Sequence, residues 1–286
     1  MEYLNSKEWE TDAESGIRTA KGIITDTAFD DDEQDGLLEL EDDSWWFSYR
    51  AEVIIKQMDR FFDEDMLTLD IGGGNGYTSG KAQHHGYRMG IIEPSPEACR
   101  NALKRGISEV NCGTVTDSSI LDESVDQMLL LDVLEHIKDD EAFVELLYRK
   151  LTSGGKLLVT VPAFRCLWSS EDDSAGHFRR YRIRELNRLL KKCGFRICYR
   201  SYFMGFLFLP ILFVRVFLEK IGVIKRQEQR SEAERKKIAK SQFRKRGGIV
   251  SAVLRIIEGI EKRLMRKHDR VPFGSSIIIV AKKPFI

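Results

Sequence analysis

Short apolar runs alternate with stretches of helical character over much of the chain, and this alternation limits the folds open to it. The predicted strands are Met66–Ile71, Tyr87–Ile92, Glu109–Cys112, Gln127–Leu131, Lys156–Val161, Phe195–Tyr202 and Ser275–Ala281. Helices are predicted at Tyr77–His85, Pro96–Arg105, Glu141–Leu151 and Ile183–Cys193. Strands that alternate with helices form parallel sheets covered by helices on both faces. The sequence therefore predicts an α/β fold with a doubly wound, mostly parallel, seven-stranded sheet.

Three regions lie outside this alternating pattern. Residues 1–43 carry fifteen acidic and three basic side chains, so we expect an acidic N-terminal extension that stays in solvent or acts as a lid. An apolar stripe over about residues 47–62 predicts an amphipathic helix, which would form an N-terminal helical lid. Residues 204–271 are too many for a hairpin and predict a helical insertion before the last strand. The main domain would then comprise residues 44–203 and 272–286.

A glycine-rich loop follows the first predicted strand of the alternating region. The sequence from Asp70 to Gly76 reads D-I-G-G-G-N-G, with an acid ahead of glycines at alternate positions. Glycine suits such positions because the backbone turns tightly and a ligand can approach where no Cβ stands. Glu93 ends the next predicted strand, where a carboxylate can bind both hydroxyls of a ribose. The spacing is not the G-x-G-x-x-G of dinucleotide enzymes, which favours an adenosine ligand without a pyrophosphate.

The loop and the acid together resemble the first motifs of class I S-adenosylmethionine-dependent methyltransferases. The resemblance runs from about Trp45 to Tyr202 and resumes at Ser275. It implies a Rossmann-like fold, S-adenosylmethionine as the cofactor and methyl transfer as the reaction. The cofactor-binding residues that it implies are Arg50, Asp70, Gly72, Gly74, Gly76, Glu93, Thr114, Leu131 and Asp132.

The resemblance also implies roles for residues in the first two motifs. Gly72 and Gly74 would line the methionine part of the cofactor, and Asp70 would order the loop or meet the amino group. Glu93 would bind the ribose. Arg50 closes the segment W-F-S-Y-R, which is similar to the aromatic and arginine-containing helix of small-molecule methyltransferases. By that similarity, Arg50 would pair with the carboxylate of the cofactor.

Two further segments match the family less closely. Thr114 lies where many relatives carry an acid or serine that contacts adenine, and no acid is present here. The run from Leu130 to His136, L-L-D-V-L-E-H, resembles the fourth motif, whose strand end passes beside the reactive methyl group. That resemblance implies contacts from Leu131 and Asp132, whereas the alternative is an ordinary buried strand that runs into a helix.

A downstream segment is similar to a bacterial, type 11-like subgroup with the pattern V-P-x, L-W-S, D and G-H-x-R-R-Y, here found between Val161 and Tyr181. A hydroxyl acceptor needs a base in methyl transfer, and the candidate catalytic residues are His177, His136 and Asp172. The candidate acceptor-binding residues are Trp168, Arg179, Arg180 and Tyr181, of which the arginines could hold a phosphate or carboxylate. Alternatively, the segment pairs with the acidic residues 171–173 and leads into the next helix.

Several classes of protein are disfavoured by what the sequence lacks. His84 and His85 are adjacent, and neither an H-E-x-x-H nor a C-x-x-C pattern occurs, so no metal site is predicted. The five cysteines are scattered, which favours a reducing, cytoplasmic setting. The glycine spacing disfavours a nicotinamide dehydrogenase. A nucleic-acid partner is not expected, because aromatic residues do not interleave the basic stretch. A non-catalytic cofactor-binding or scaffold protein on the same fold is the alternative function.

The insertion has two interpretations. The nearly apolar segment Tyr202–Leu218 precedes the basic stretch Lys225–Arg246 and an amphipathic helix at about Ile249–Met265. An apolar segment followed by bases is typical of a membrane-surface element. This favours a protein that lies peripherally at the inner face of the membrane and methylates a small-molecule, glycan, lipid-linked or otherwise amphiphilic acceptor. Alternatively, the segment packs on the sheet or on a second subunit, and the sequence leaves the oligomeric state open.

Overall fold

The computed structural model describes residues 3–21, 38, 40–116, 119–226, 229, 234, 249–266 and 271–285. Within them, the strands are β1 (Trp9–Thr11), β2 (Arg18–Ala20), β3 (Leu67–Ile71), β4 (Arg88–Glu93), β5 (Glu109–Cys112), β6 (Val125–Leu131), β7 (Leu151–Pro162), β8 (Arg196–Phe203) and β9 (Ser276–Lys282). The α-helices are α1 (Trp45–Phe61), α2 (Tyr77–His84), α3 (Pro96–Lys104), α4 (Asp140–Lys150), α5 (Ser170–Ser174), α6 (Ile183–Lys192), α7 (Gly205–Pro210), α8 (Leu218–Lys220) and α9 (Ile249–Arg266).

All these strands join one sheet in the order β1-β2-β5-β4-β3-β6-β7-β9-β8. The five strands from β5 to β7 run parallel, and β9 is antiparallel to both of its neighbours. The prediction of an α/β fold with a mostly parallel sheet is therefore confirmed. The predicted strand number is wrong, because the sheet of the described residues has nine strands and not seven.

The two additional strands come from the acidic N-terminal region. β1 and β2 form a hairpin, and β2 pairs in parallel with β5 at the edge of the sheet. Tyr3, Leu4 and Trp9 are buried, and the Trp9 indole donates a hydrogen bond to the Ser119 carbonyl at 2.8 Å. Residues 3–21 are thus packed against the sheet and are not a solvated tail. The acidic run at residues 30–33 lies outside the described residues.

Helix α1 covers one face of the sheet. Its first turn is capped by Ser44, whose side chain accepts hydrogen bonds from the backbone N–H groups of Trp46 and Phe47. Its buried face packs against side chains on one face of β6 and β7, such as Leu129 and Leu158. The intervening residues of these strands point to the opposite face, where α4 and α6 cover them. Whether α1 moves as a lid stays a prediction.

The region before β9 begins as a helix and is anchored by one buried carboxylate. Helix α7 continues through a π-helical stretch, Ile211–Phe217, into α8. Glu261 of α9 accepts hydrogen bonds from the backbone of Met204 and Gly205 and from the Tyr49 hydroxyl of α1. Most of the predicted basic stretch lies outside the described residues. None of the described helices combines the length and apolarity that crossing a bilayer requires.

Candidate functional site

A cavity of about 780 Å³ opens at the carboxyl ends of β3, β4, β5 and β6. This volume lies within the range of small-molecule sites, roughly 300–1,000 Å³. The chain runs from β3 outward to β5 and then crosses back to β6, so the cavity lies at the point where the strand order reverses. Ligands of open α/β sheets bind at such points.

The glycine loop forms the floor of the cavity, and its glycines have separate functions. Gly72 has φ +72° and Gly74 has φ +53°, and both residues line the cavity. A Cβ at Gly74 would have no atom within 4 Å, so the backbone there is open to a ligand. Gly76 also has positive φ, but a Cβ on it would lie 2.5 Å from the Ile107 side chain. A side chain at Gly76 would therefore force its packed neighbours to shift, and Gly76 does not line the cavity.

Asp70 lies at the end of β3 with its carboxylate buried in the cavity wall. One oxygen accepts a hydrogen bond from the Ser79 hydroxyl at 2.6 Å. The other, Oδ1, has no hydrogen-bond partner among the described residues. Burial raises the pKa of Asp70 to about 7. An unpartnered buried carboxylate oxygen is suited to a cationic group of a ligand.

Glu93 occupies the matching position at the end of β4. One carboxylate oxygen accepts from the Gly74 N–H and the other from the Ser95 N–H, both at 2.9 Å. Burial raises its pKa, while these two hydrogen bonds stabilise the ionised form. Glu93 thereby fixes the glycine loop against the second strand. Thr114, exposed on the loop after β5, lines the adjoining wall.

Arg50 of α1 is engaged by the protein itself. Its guanidinium forms an ion pair with Asp132 at 2.5 Å and donates to the Thr160 hydroxyl at 2.6 Å. Asp132 follows β6 with φ +54°, a left-handed conformation that is uncommon outside glycine. Arg50, Leu131 and Asp132 all line the cavity. The structure thus brings these predicted residues together, with Arg50 paired to Asp132.

The candidate catalytic residues form a cluster at one end of the cavity. The rings of His136 and His177 meet edge to face with centroids 4.7 Å apart. Nδ1 of His177 lies 2.8 Å from Asp172, which also accepts two hydrogen bonds from Arg180. Burial would raise the pKa of Asp172, but the hydrogen bonds from His177 and Arg180 hold it below its usual value. Burial and the neighbouring His177 lower the pKa of His136 to about 4.

The candidate acceptor-binding residues contact other protein groups and do not line the cavity. Arg179 and Tyr181 both bind Asp140, at 2.7 Å each. The Trp168 indole donates to Asp173 at 2.9 Å, and Arg180 binds Asp172. For Trp168 and Arg180, these contacts match the alternative in which the segment pairs with its own acidic residues. The cavity wall from this region is formed by residues 173–176.

Glu41 is a lining residue that sequence reasoning missed. It is buried and forms an ion pair with Arg105 at 2.8 Å. Burial raises its pKa to about 7. Because it is one of fifteen acids in residues 1–43, composition gave no signal for it. The signal lies in the fold, which places the start of α1 beside the glycine loop.

Comparison with known proteins agrees with this geometry. A family model described as a methyltransferase domain matches residues 46–199. A probable S-adenosylmethionine-dependent methyltransferase of Mycolicibacterium smegmatis (strain ATCC 700084 / mc(2)155) is 27% identical over 163 residues, which are 55% of this chain and 62% of the relative. The match therefore spans less than two thirds of that relative.

Solved structures resemble the whole described fold at low identity. Phosphoethanolamine N-methyltransferase 2 of Haemonchus contortus, in complex with S-adenosyl-L-methionine, has a TM-score of 0.58 and 17% identity, covering 93% of this chain and 62% of that one. The [4+2]-cyclase SpnF has a TM-score of 0.54 and 21% identity, covering 85% and 84%. These likenesses show a shared Rossmann-like fold, which in SpnF serves a different reaction.

Proposed function

Because the chain belongs to the methyltransferase-domain family, we propose that it transfers a methyl group from S-adenosylmethionine to an amphiphilic acceptor. The observation that carries this proposal is the pair of buried carboxylates at the ends of β3 and β4. Asp70 and Glu93 flank a glycine loop whose Gly74 leaves open space for a ligand. A cavity with this wall suits a ligand that carries an ammonium group and a ribose.

The residues present fit the cofactor. When bound, S-adenosylmethionine supplies a methyl group activated by a positively charged sulfur. The unpartnered Oδ1 of Asp70 would accept a hydrogen bond from an ammonium group, and Glu93 would accept from ribose hydroxyls. Five carboxylates, those of Glu41, Asp70, Glu93, Asp132 and Asp173, line the cavity with one arginine, Arg50. This excess of acidic groups favours a cationic ligand.

His136 presents a neutral imidazole to the cavity. Because burial lowers its pKa to about 4, it carries a lone pair and no charge near pH 7. We propose that His136 contacts an acceptor atom, whereas His177, which meets its ring edge to face, and Asp172 do not line the cavity. The roles of His177 and Asp172 are therefore proposed as positioning roles.

An exposed apolar surface beside the cavity supports an amphiphilic acceptor. Leu209, Phe213 and Phe217 of the helical segment after β8 expose half or more of their surface. Glu219 of α8 accepts hydrogen bonds from Ser170 at the start of α5, and the residues that follow α5 form part of the cavity wall. This contact fixes the apolar segment next to the wall, where it could receive the apolar part of a lipid-linked acceptor.

Calorimetry and labelled transfer test the proposal. The wild-type chain should bind S-adenosylmethionine, and Glu93→Ala should weaken binding at least tenfold through loss of the ribose contact and of the loop anchor. Glu97→Ala, which removes an acid paired with the exposed Arg100, serves as the control. Equal affinity in Glu93→Ala and wild type would show that the cofactor site is misplaced.

The acceptor class requires a second assay. Tritium from methyl-labelled cofactor should enter lipid or other amphiphilic fractions and not protein or nucleic acid. Cofactor binding without transfer into any fraction would instead favour the non-catalytic alternative.

A further inference from the structure

Three potential metal ligands lie close together at the end of the cavity that His136 lines. Glu135 and His136 stand on the short turn after β6, and His177 comes from the segment after α5. One carboxylate oxygen of Glu135 and one ring nitrogen of each histidine lie within 4.8 Å of one another. We propose that these three side chains bind a divalent transition-metal ion. The sequence predicted no metal site because the ligands lie in two separate segments that only the fold brings together.

Glu135 gives the cluster an observation independent of its spacing. The residue is 1% exposed, and its Oε2 has no hydrogen-bond partner among the described residues. A buried carboxylate oxygen without a donor is unfavourable, since it has lost its hydration without replacement. A cation bound by Glu135 would supply the missing partner.

Each histidine ring has a hydrogen-bond partner of the kind that orients metal-bound histidines. The Asp172 carboxylate accepts two hydrogen bonds from Arg180 and lies 2.8 Å from Nδ1 of His177. With Nδ1–H as the donor in that contact, the lone pair of the ring is on Nε2. The ring of His136 is hydrogen-bonded to the Ala175 backbone carbonyl. Metal-bound histidines typically donate their other ring N–H to a carboxylate or a backbone carbonyl, which fixes the ring and its tautomer.

The charges around the cluster leave room for a cation. Asp132 and Asp172 are balanced by Arg50 and Arg180, with which they form ion pairs. Glu135 forms no ion pair among the described residues, so a bound cation would balance the charge of its ionised form. Two imidazoles and one carboxylate suit ions such as Zn²⁺, Fe²⁺ or Mn²⁺ better than Mg²⁺ or Ca²⁺, which prefer oxygen ligands.

The position of the site suggests a use, which rests on the proposed function. Three protein ligands leave coordination positions open, and His136 lines the cavity. A metal ion there would bind a hydroxyl or phosphate oxygen of the acceptor and favour loss of the hydroxyl proton. Metal binding itself does not depend on this use.

The test measures metal binding by the full-length chain, without a histidine tag and after chelator treatment. Titration with Zn²⁺ against a chromophoric chelator should show one ion per chain, and Co²⁺ should give the visible absorption of a low-symmetry site. Glu135→Gln and His177→Gln should each weaken Zn²⁺ binding at least tenfold. His85→Gln is the matched control, because that exposed histidine also faces a carboxylate, Asp59.

Each outcome decides for or against the site. Loss of Zn²⁺ affinity in both variants, with the control unchanged, supports it. Absence of stoichiometric binding, or equal affinity in wild type and His177→Gln, overturns it. Circular dichroism confirms that the variants fold, and Glu135→Gln is nearly isosteric. Titration of the same preparations with S-adenosylmethionine tests the proposed function separately, since the cofactor residues are not metal ligands.

Discussion

At the scale of single residues, the protonation of Asp70 is expected to make ligand binding in the cavity depend on pH. One oxygen accepts a hydrogen bond from Ser79, and the other has no partner among the described residues. Burial raises its pKa to about 7, so near neutral pH the group is divided between its protonated and ionised forms. Only the ionised form attracts an ammonium group, because a protonated carboxyl carries no charge.

We expect the affinity for S-adenosylmethionine to rise with pH up to about pH 7. Below the pKa, each unit of pH should change the affinity by up to about tenfold, since binding must release a proton from Asp70. Asp70→Asn should bind more weakly and with little pH dependence, whereas Asp65→Asn, at an exposed acid, should behave as wild type. Calorimetry between about pH 5.5 and 7 measures this. A wild-type affinity that is constant over this range would contradict the role of Asp70.

Gly76 and Gly106 allow packing to be separated from backbone strain. Both have positive φ, but a Cβ at Gly76 would meet Ile107 at 2.5 Å, and one at Gly106 would meet nothing within 4 Å. Gly106→Ala should cost about 1–2 kcal/mol of unfolding free energy from strain alone. Gly76→Ala should cost about 1–3 kcal/mol more because the core must shift. Chemical denaturation measures both, and equal losses would show that Gly76 is not packed as described.

The sequence predicts single residues well where a local pattern carries the chemistry. Gly72, Gly74 and Glu93 could be placed at the cavity because strand, turn and acid follow one another within a short stretch. The pairing of Arg50 with Asp132 could not, since it depends on how α1 packs over the end of β6. Glu135 was also missed as a candidate, because a carboxylate in an apolar run gives no sign of whether it is partnered.

At the scale of elements, the β1–β2 hairpin shows where periodicity fails. Each strand has three residues, too few for an alternating pattern to be recognised. Most charged residues of this region are acidic, yet the side chains that pack it against the rest of the protein are the buried Tyr3, Leu4 and Trp9. Strand β7 shows a related error: its predicted start followed the glycine pair 154–155, but the strand begins at Leu151 and includes both glycines.

Trp9 should stabilise the sheet through this hairpin. Trp9→Ala removes a buried indole and should lower the unfolding free energy by about 3 kcal/mol or more. Trp9→Phe retains an aromatic ring but loses the hydrogen bond to the Ser119 carbonyl, and should cost about 1 kcal/mol from that loss. Thermal and denaturant unfolding compare the two. If Trp9→Ala unfolded as wild type does, the hairpin would not be packed on β5.

At the scale of the whole molecule, the cavity and the apolar helical segment share one end of the sheet. The cavity opens at the carboxyl ends of the parallel strands, and α7 follows the carboxyl end of β8, which runs in the same direction as β7. A membrane or partner surface that contacts Phe213 and Phe217 would therefore face the end of the molecule where the cavity opens. The sequence predicted both features but could not show that they are neighbours.

We therefore expect the protein to bind anionic liposomes. Each buried large apolar side chain contributes roughly 1.5–3 kcal/mol, and each base near the surface about 1 kcal/mol. Phe213→Ser with Phe217→Ser should reduce co-sedimentation several-fold. Salt should weaken binding, as should replacement by Gln of the bases Lys225, Arg226, Arg235, Lys236 and Lys237.

Leu121→Ser is the control for this experiment, since it removes an exposed apolar side chain before β6, at the opposite end of the sheet. Absence of binding at low salt would favour burial of the apolar segment against a second subunit.

The place of β9 between β7 and β8 has a consequence for how the chain folds. β8 contacts the sheet through β9, yet their pairing joins Phe203 to Ser276 and Arg196 to Lys282 across the whole insertion. Closing so long a loop is slow relative to local pairing. Strands β3 to β7 can assemble from neighbouring segments, whereas β8 must wait for β9. The edge that carries the apolar segment is therefore expected to be the last part of the sheet to form, and during synthesis it would be open to chaperones longer than the cavity itself.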